Sequence, residues 1–166
     1  MRRVLHGGGG FALAEPAEGD VERLRAASDG AFDVDPDPRP SLPPRDIGRA
    51  VVVDSDSGEL LGDVSWHQVS YGPTRGCAAW NMGIGLLPSA RGRGAGVGAL
   101  RLLVEHLFAT TDLDRVEAST DVTNVAARRA IAGAGLREEG VARGAQLRGG
   151  QRRDMVLFGL LRSDLG

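Results

Sequence analysis

The sequence predicts an α+β fold in which helices flank a mixed, mostly antiparallel central sheet. Three apolar segments, residues 49–54, 60–71 and 77–87, follow one another with only turns between them, which is the pattern of an antiparallel meander. Residues 97–108 repeat their apolar side chains with the period of a helix. The predicted order is strand, helix, three strands, helix, strand, helix and two strands. This order fits neither a repeating βαβ barrel nor a helical bundle.

The first third of the chain is predicted to hold one strand, one helix and a long loop. Residues 11–14 form a short apolar strand, and the acid-rich residues 18–28 form a helix. Residues 33–46 carry five prolines, which remove backbone donors and fix φ, so this segment is expected to be a proline-rich loop. Residues 1–9 lack a hydrophobic signal core and are expected to be a flexible lead-in. The length of the chain, residues 1–166, fits a single domain.

The last third is predicted to alternate strands and helices. Thr123 or Asn124 can cap a helix, because either side chain can accept a hydrogen bond from a free amide of the first turn. Gly135 ends this helix, since glycine readily adopts the left-handed conformation found after helix ends. The strands of this part are residues 114–120, 136–142 and 155–161, the last two surrounding the turn Arg-Gly-Gly-Gln.

Composition excludes several kinds of chemistry. The formal net charge of -2 argues against bulk binding to nucleic acid or to an acidic membrane surface. All 20 basic residues are arginine, so no Schiff-base lysine and no P-loop lysine is present. Cys77 is the only cysteine, and the three histidines lack metal-ligand spacing, so no metal is expected. No apolar run approaches the roughly 20 residues of a membrane span, and we expect a cytoplasmic protein.

Residues 88–100, PSARGRGAGVGAL, indicate an anion site at the start of a helix. The first amides of a helix have no internal partner, the helix dipole is positive there, and glycines let a phosphate approach. Arg91 and Arg93 add positive charge. Two other interpretations exist: the glycines could serve tight packing alone, or Gly94-x-Gly96-x-x-Ala99 could be a dinucleotide fingerprint. The fingerprint needs a βα unit at a parallel switch point, whereas a hairpin of strands precedes this turn.

At these residues the chain resembles the GNAT superfamily of N-acetyltransferases, most closely its ribosomal-protein N-acetyltransferase-like branch. The family turn Q/R-x-x-G-x-G/A is matched by residues 91–96. The branch also shows an Asn at the start of the next helix, a Gly-aromatic pair, Glu-Gly and a late Asp. The matching residues are Asn124, Gly135-Leu136 (with Leu in place of the aromatic residue), Glu139-Gly140 and Asp154.

The resemblance implies a binding site for acetyl-CoA, the co-substrate, between two splayed strands, here residues 80–87 and 114–120. Glycines inside the first strand, Gly83 and Gly85, would leave room for it. By the resemblance, pantetheine would bond to the backbone of Ile84, Gly85, Leu86 and Leu87, the pyrophosphate would lie on Arg91, Gly92, Arg93, Gly94, Ala95 and Gly96, and Asn124 would also contact the co-substrate.

The family's general acid is absent, because the position where many members carry Tyr is Ile131. A water or Asn124 is left to serve the departing thiolate. For the base that deprotonates the amine, Glu117 is the first candidate, since the fold places its strand beside the thioester and desolvation would raise the pKa of such a carboxylate. His67, whose type titrates near neutral pH, is the second.

The expected activity is direct transfer of an acetyl group to a primary amine, either a protein N-terminus or a small molecule. The acceptor itself is not marked by any motif. Two alternatives stay open: a donor other than acetyl-CoA (a longer acyl-CoA or an aminoacyl-tRNA), and a catalytically silent CoA-binding protein. A homodimer is possible.

Overall fold

The computed structural model describes residues 1–37 and 45–166; residues 38–44 of the predicted proline-rich loop lie outside these ranges. Within the described residues, eight strands and three α-helices are present. They are β1 (Val4–Gly8), β2 (Phe11–Ala14), α1 (Asp20–Ala27), β3 (Arg45–Asp54), β4 (Leu60–Ser70), β5 (Ala78–Leu86), α2 (Ala95–Thr110), β6 (Arg115–Asp121), α3 (Val125–Gly133), β7 (Arg137–Arg148) and β8 (Gln151–Leu161).

The eight strands form one sheet in the order β1-β2-β3-β4-β5-β6-β8-β7. Among the described strands, β5 and β6 are parallel neighbours and every other pair is antiparallel. This arrangement confirms the predicted mixed, mostly antiparallel sheet with flanking helices.

The helices cover the two faces of the sheet unequally. The main core includes the apolar stripe of α2 (Leu100, Leu103, Val104, Leu107), Ile131 of α3 and one face of the strands. A smaller cluster on the opposite face joins Leu24 of α1 to side chains of β2 and β3. Side chains alternate along a strand, so the α2/α3 face and the α1 face can be assigned residue by residue along β4, β5 and β6.

The sheet opens between β5 and β6. Their parallel pairing runs over three positions, Trp80 with Val116, Asn81 with Glu117 and Met82 with Ala118, and then ends. Both strands continue beyond this point: β5 to Leu86 and β6 to Asp121. Each keeps its outer neighbour, β4 or β8. This is the splay that the resemblance predicted.

The expectation that residues 1–9 form a flexible lead-in is wrong. Strand β1 pairs with β2 as a hairpin, and Gly9 and Gly10 adopt φ of 60° and 85° in the connection. Glycine pairs are favoured in such turns because both central residues need a positive φ. His6 of β1 lies 2.8 Å from Glu105 of α2, so the hairpin is also tied to the helix.

The other boundaries differ by a few residues. Within the expected loop 33–46, residues 33–37 carry no helix or strand, whereas β3 already begins at Arg45. The final hairpin extends to the predicted Arg-Gly-Gly-Gln turn, since β7 ends at Arg148 and β8 begins at Gln151.

None of the helices within residues 1–37 and 45–166 is long and apolar enough to cross a membrane. In the same part of the chain, no group of three or more His, Cys, Asp or Glu side chains could hold a metal ion.

Candidate functional site

The glycine-rich turn presents bare backbone at the start of α2. Gly94 is the N-cap residue and has φ 80°, and Gly92 has φ 72°, both in the left-handed region that favours glycine. A Cβ added to either residue would meet no atom within 4 Å. The space above this backbone is therefore open, and the free amides of the first helical turn can receive an anion there.

The next two glycines serve packing. A Cβ on Gly96 would lie 3.3 Å from Ala130 of α3, and one on Gly98 would lie 2.6 Å from the ring of Phe11. The packing interpretation of the glycine run is thus correct for its second half, and the anion-site geometry belongs to Gly92 and Gly94.

A cavity of about 940 Å³ lies at the splay. Its walls come from α1 on one face and from α2 and α3 on the other, so it reaches both sides of the opened sheet. Most of the predicted co-substrate residues line it, namely Ile84, Gly85, Leu86, Leu87, Arg91, Gly92, Gly94, Gly96 and Asn124. Ala95 is buried under the helix start, and Arg93 points toward Glu59, with 4.0 Å between their charged groups.

The residues present suit a CoA-type group. The β6-facing edge of β5 beyond Met82 has no strand beside it, so a linear amide chain can bond to it as a strand would. The open glycine amides and the residues Arg91 and Arg129, which also line the cavity, suit a phosphate-bearing group.

Arg91 is already engaged in an ion pair. Its guanidinium donates to both carboxylate oxygens of Asp29, at 2.6 and 3.0 Å, and to the carbonyl oxygen of Leu86. This pair holds the pKa of Asp29 at about 2. Asp29 follows α1, so the pair connects the segment after this helix to the glycine-rich turn.

Asn124 is the N-cap of α3, as predicted: its Oδ1 accepts a hydrogen bond from the amide of Ala127 at 3.1 Å. Ile131, at the position of the family's Tyr, is buried in the main core and also lines the cavity. No hydroxyl is supplied from that position.

Glu117 is buried on the α1 face, below the point where the strands separate. Its carboxylate accepts hydrogen bonds from the Tyr71 hydroxyl at 2.6 Å, from Asn81 Nδ2 at 3.2 Å and from Arg115 Nη2 at 3.4 Å. The hydrogen bond that the Tyr71 hydroxyl donates to Glu117 raises the pKa of the Tyr71 phenol. The cavity lining does not include Glu117.

His67 occupies the same row of the sheet as Glu117. It is the register partner of Asn81, which in turn pairs with Glu117. The three side chains therefore share the α1 face across three strands. His67 is half-buried and is not part of the cavity lining either.

The structure adds cavity residues that our sequence reasoning did not assign to the site. Asp63 of β4 lines the cavity and lies 3.3 Å from the guanidinium of Arg49. Arg148 of β7 donates to Asp121 at 2.8 Å and stacks over the ring of Phe32, 5.2 Å from its centre. Period-2 alternation could have placed Asp63 on the α1 face, but no short-range signal joins it to residues 20 or more positions away.

Two further contacts hold the segment after α1, part of which lines the cavity, against the β7–β8 hairpin. The carboxylate of Asp35 accepts hydrogen bonds from the amides of Gly149 and Gly150 at 2.7 and 2.8 Å. Phe32 has φ 66°, an uncommon conformation for a residue with a side chain, and its ring lies under Arg148.

Comparison with known families decides between the interpretations of the glycine-rich turn. Residues 16–137 match the family model described as the acetyltransferase (GNAT) domain. The chain belongs to the GNAT acetyltransferase family. The acyltransferase assignment that the turn and Asn124 predicted is therefore correct at the family level, and the dinucleotide interpretation is discarded.

Solved structures show the same fold. Mycobacterium smegmatis RimJ in complex with CoA-disulfide is 20% identical, with a TM-score of 0.73 over 99% of this chain and 87% of that one. Spermidine N-acetyltransferase from Vibrio cholerae, with CoA and spermine, is 18% identical, with a TM-score of 0.75 over 93% and 96%. The ribosomal-protein-S5-alanine acetyltransferase from Vibrio fischeri is 24% identical, with a TM-score of 0.61 over 71% and 63%. The last carries the name of the branch that the motifs resemble.

Proposed function

We propose that this GNAT domain is an acetyl-CoA-dependent N-acetyltransferase that moves the acetyl group directly from the thioester to a primary amine. One observation carries the proposal: the sheet opens between β5 and β6, and the cavity at this opening joins the anion-binding turn to the opposite face. A donor held from the α2/α3 side and an amine entering from the α1 side would meet there.

The donor half of the site is built mainly from backbone. The backbone of Ile84–Leu87 would hold the pantetheine amides, and the amides from Gly92 to Gly96 with Arg91 would hold the pyrophosphate. Acetyl-CoA supplies the activated acyl group and the thiolate leaving group. CoA-bound relatives of the same fold support this half of the proposal.

The acceptor half is lined by α1 and by the segment that follows it. Gly83 and Gly85 of β5 face this side without side chains, so an amine can approach the strand closely. No covalent intermediate with an enzyme nucleophile is required, because direct transfer needs only positioning, a polarised carbonyl and proton removal. Cys77 lies outside the cavity lining.

Calorimetric titration with CoA tests the donor half. Gly94→Asp places a side chain and a negative charge above the free amides, and we expect at least a tenfold weaker Kd, since like charge and lost hydrogen bonds each cost on the order of 1 kcal/mol or more. Gly10→Asp is the matched control, because Gly10 also has a positive φ and an open Cβ position, but lies in the β1–β2 turn outside the cavity lining. Equal affinity in wild type and Gly94→Asp would remove the assignment of this turn.

Release of free CoA thiol from acetyl-CoA, followed with a thiol-reactive dye, tests the activity. The acceptors are an alanine-starting peptide amide, spermidine, an aminoglycoside and ethanolamine. We expect amine-dependent release with at least one of them. Tight CoA binding without release for any acceptor would favour a silent CoA-binding protein, and release only from a longer acyl-CoA would favour a different donor.

A further inference from the structure

The acceptor side of the cavity has a floor without side chains, bordered by one polar strand. Gly83 and Gly85 of β5 pair with Ser65 and Asp63 of β4. A Cβ on Gly83 would lie 2.9 Å from the Ser65 hydroxyl, and one on Gly85 would lie 3.1 Å from Asp63 Oδ1. The two polar groups therefore reach over β5 at the place where its other edge has lost β6.

Asp63 supplies the carboxylate of this border, and its ionised form is disfavoured there. Its side chain is 24% exposed. Burial raises the pKa of Asp63, and the neighbouring Arg49 only partly opposes this. Among the described carboxylates whose pKa is clearly shifted, the others (Asp20, Asp29, Asp54, Asp112, Asp121 and Glu139) are shifted downward by hydrogen bonds and ion pairs. A carboxylate held in a cavity at this cost is typical of a functional group.

We propose that Asp63 receives the acceptor: its carboxylate binds the ammonium group and removes one proton before acyl transfer. The inference rests on the proposed N-acetyltransferase function. Glu117 already accepts bonds from Tyr71, Asn81 and Arg115, whereas Asp63 keeps lone pairs for a ligand beside its one arginine.

The reaction balances with this single base. The ammonium gives one proton to the Asp63 carboxylate, and the neutral amine nitrogen forms a bond to the thioester carbon. The bond from that carbon to sulfur breaks, and the thiolate takes the second nitrogen proton as the amide forms. Asp63 returns its proton to water through its exposed edge, so the net products are the N-acetyl amide, CoA thiol and one proton.

Arg49 acts on the pKa of Asp63, and other charged groups line the same cavity. Arg49 of β3 is the ion-pair partner of Asp63. Arg25 of α1, Asp33 of the following segment and the Asp121–Arg148 pair line the same cavity. Since desolvation outweighs Arg49, we expect the rate to fall on acidification at a higher pH than an ordinary aspartate, with its pKa near 3.9, would give.

The test measures kcat/KM against pH for wild type, Asp63→Asn, Asp63→Glu, Glu117→Gln and His67→Gln, with the fastest acceptor of the four amines named above. We expect Asp63→Asn to lose about 10²–10⁴-fold at pH 7, as is typical when a general base is removed. The deficit should shrink as the pH approaches the acceptor's own pKa, because the amine is then already neutral. Asp63→Glu should recover part of the rate, and CoA affinity should stay within twofold. Asp56→Asn, an exposed aspartate in the β3–β4 turn, is the matched control.

Stability supplies a second readout that a structural ion pair would move in the opposite direction. A group whose pKa is raised by folding contributes to the free energy of unfolding only when it is protonated. This contribution is complete below the unfolded pKa and is lost as the pH rises through the folded pKa. At pH 7 Asp63→Asn should therefore have an equal or higher Tm. Unchanged kcat/KM with intact CoA binding, loss of the acidic limb in Glu117→Gln or His67→Gln alone, or a lower Tm in Asp63→Asn would overturn the inference. A wild type that binds CoA but acetylates none of the amines would instead overturn the proposed function, and the inference with it.

Discussion

Two aspartates lie on the same face of the sheet, on opposite sides of the splay, and the structure treats them differently. Asp121, at the end of β6, has a side chain that is 2% exposed and pairs with Arg148. It also accepts hydrogen bonds from the Thr123 hydroxyl and amide at 2.6 and 2.7 Å, which lower its pKa. Asp63 has a side chain that is 24% exposed and one arginine at 3.3 Å, and burial raises the pKa of Asp63.

The two carboxylates differ in which influence on the pKa is larger: hydrogen bonds dominate at Asp121, and desolvation dominates at Asp63. Asp121 is surrounded by donors that stabilise its ionised form, so it fixes the turn between β6 and α3. Asp63 is desolvated without comparable donors, so its ionised form is disfavoured until a cation or a proton arrives. One carboxylate is part of the wall, and the other is available for a ligand.

The largest expected effect on stability comes from removing the charge of Asp121. Asp121→Asn breaks a buried ion pair and weakens the hydrogen bonds from Thr123, and we expect a loss of about 1–3 kcal/mol in the free energy of unfolding at pH 7. The pKa of Asp121 is lowered by folding, so its contribution is present above the unfolded pKa and is lost as the pH falls through the folded pKa. Urea unfolding at neutral and at acidic pH measures this.

If the two asparagine variants behave alike, Asp63 and Asp121 do not differ in the way described above. Asp121→Asn should unfold more easily than wild type, and Asp63→Asn should not. The gap between wild type and Asp121→Asn should also close at low pH. A gap that persists there would mean that packing, and not charge, holds this corner.

Some local features around the cavity could be predicted from the sequence. Asn124 was correctly predicted as a candidate N-cap, because its side chain can accept a hydrogen bond from a free amide of the first helical turn. The helix predicted over residues 97–108 from its apolar period is α2, which begins two residues earlier, at Ala95. These features depend on neighbours within a few positions of the chain.

The missed features depend on distant neighbours. Asp63 lines the cavity because β4 pairs with β5 in one register. The Glu117 carboxylate is already hydrogen-bonded by Asn81 of β5 and by Tyr71, which follows β4. Neither register nor the reach of a side chain across strands can be read from periodicity. Strand β1 was missed for another reason: its glycines weaken the strand pattern, and the turn at Gly9 and Gly10 was read as flexibility.

Replacing Arg49 should have a smaller effect, a shift in the pH dependence of kcat/KM that tests the role of Asp63. Its charge lowers the pKa of Asp63 against the stronger opposing effect of burial. Arg49→Gln should therefore raise that pKa further and move the acidic limb of kcat/KM to higher pH, by less than about one unit because Arg49 is largely solvated. The pH profile of the variant is compared with that of Arg23→Gln, an exposed arginine of α1 outside the cavity lining. An acidic limb that stays in place would show that the limb belongs to a group other than Asp63.

The smallest expected effect belongs to a third aspartate–arginine pair of the same cavity. Asp29, with a side chain 40% exposed, holds Arg91 at 2.6 Å. The pKa of Asp29 is about 2, so the pair is ionised at neutral pH, and its carboxylate competes with a pyrophosphate for the same guanidinium. Asp29→Asn should tighten CoA binding by about two- to fivefold, the range typical of exposed ion pairs.

This gain should be largest at low ionic strength and should fade as salt screens the exposed charges. Calorimetric titration with CoA at two salt concentrations measures it. Asp112→Asn is the matched control: Asp112 is also exposed, is paired with Arg75 and has a pKa of about 2, but lies outside the cavity lining. Weaker CoA binding in Asp29→Asn would reverse the interpretation. Asp29 would then be orienting Arg91 for the phosphates. The Asp29–Arg91 pair, the most exposed of the three, would in that case resemble the Asp121–Arg148 pair, in which the aspartate holds the arginine in place.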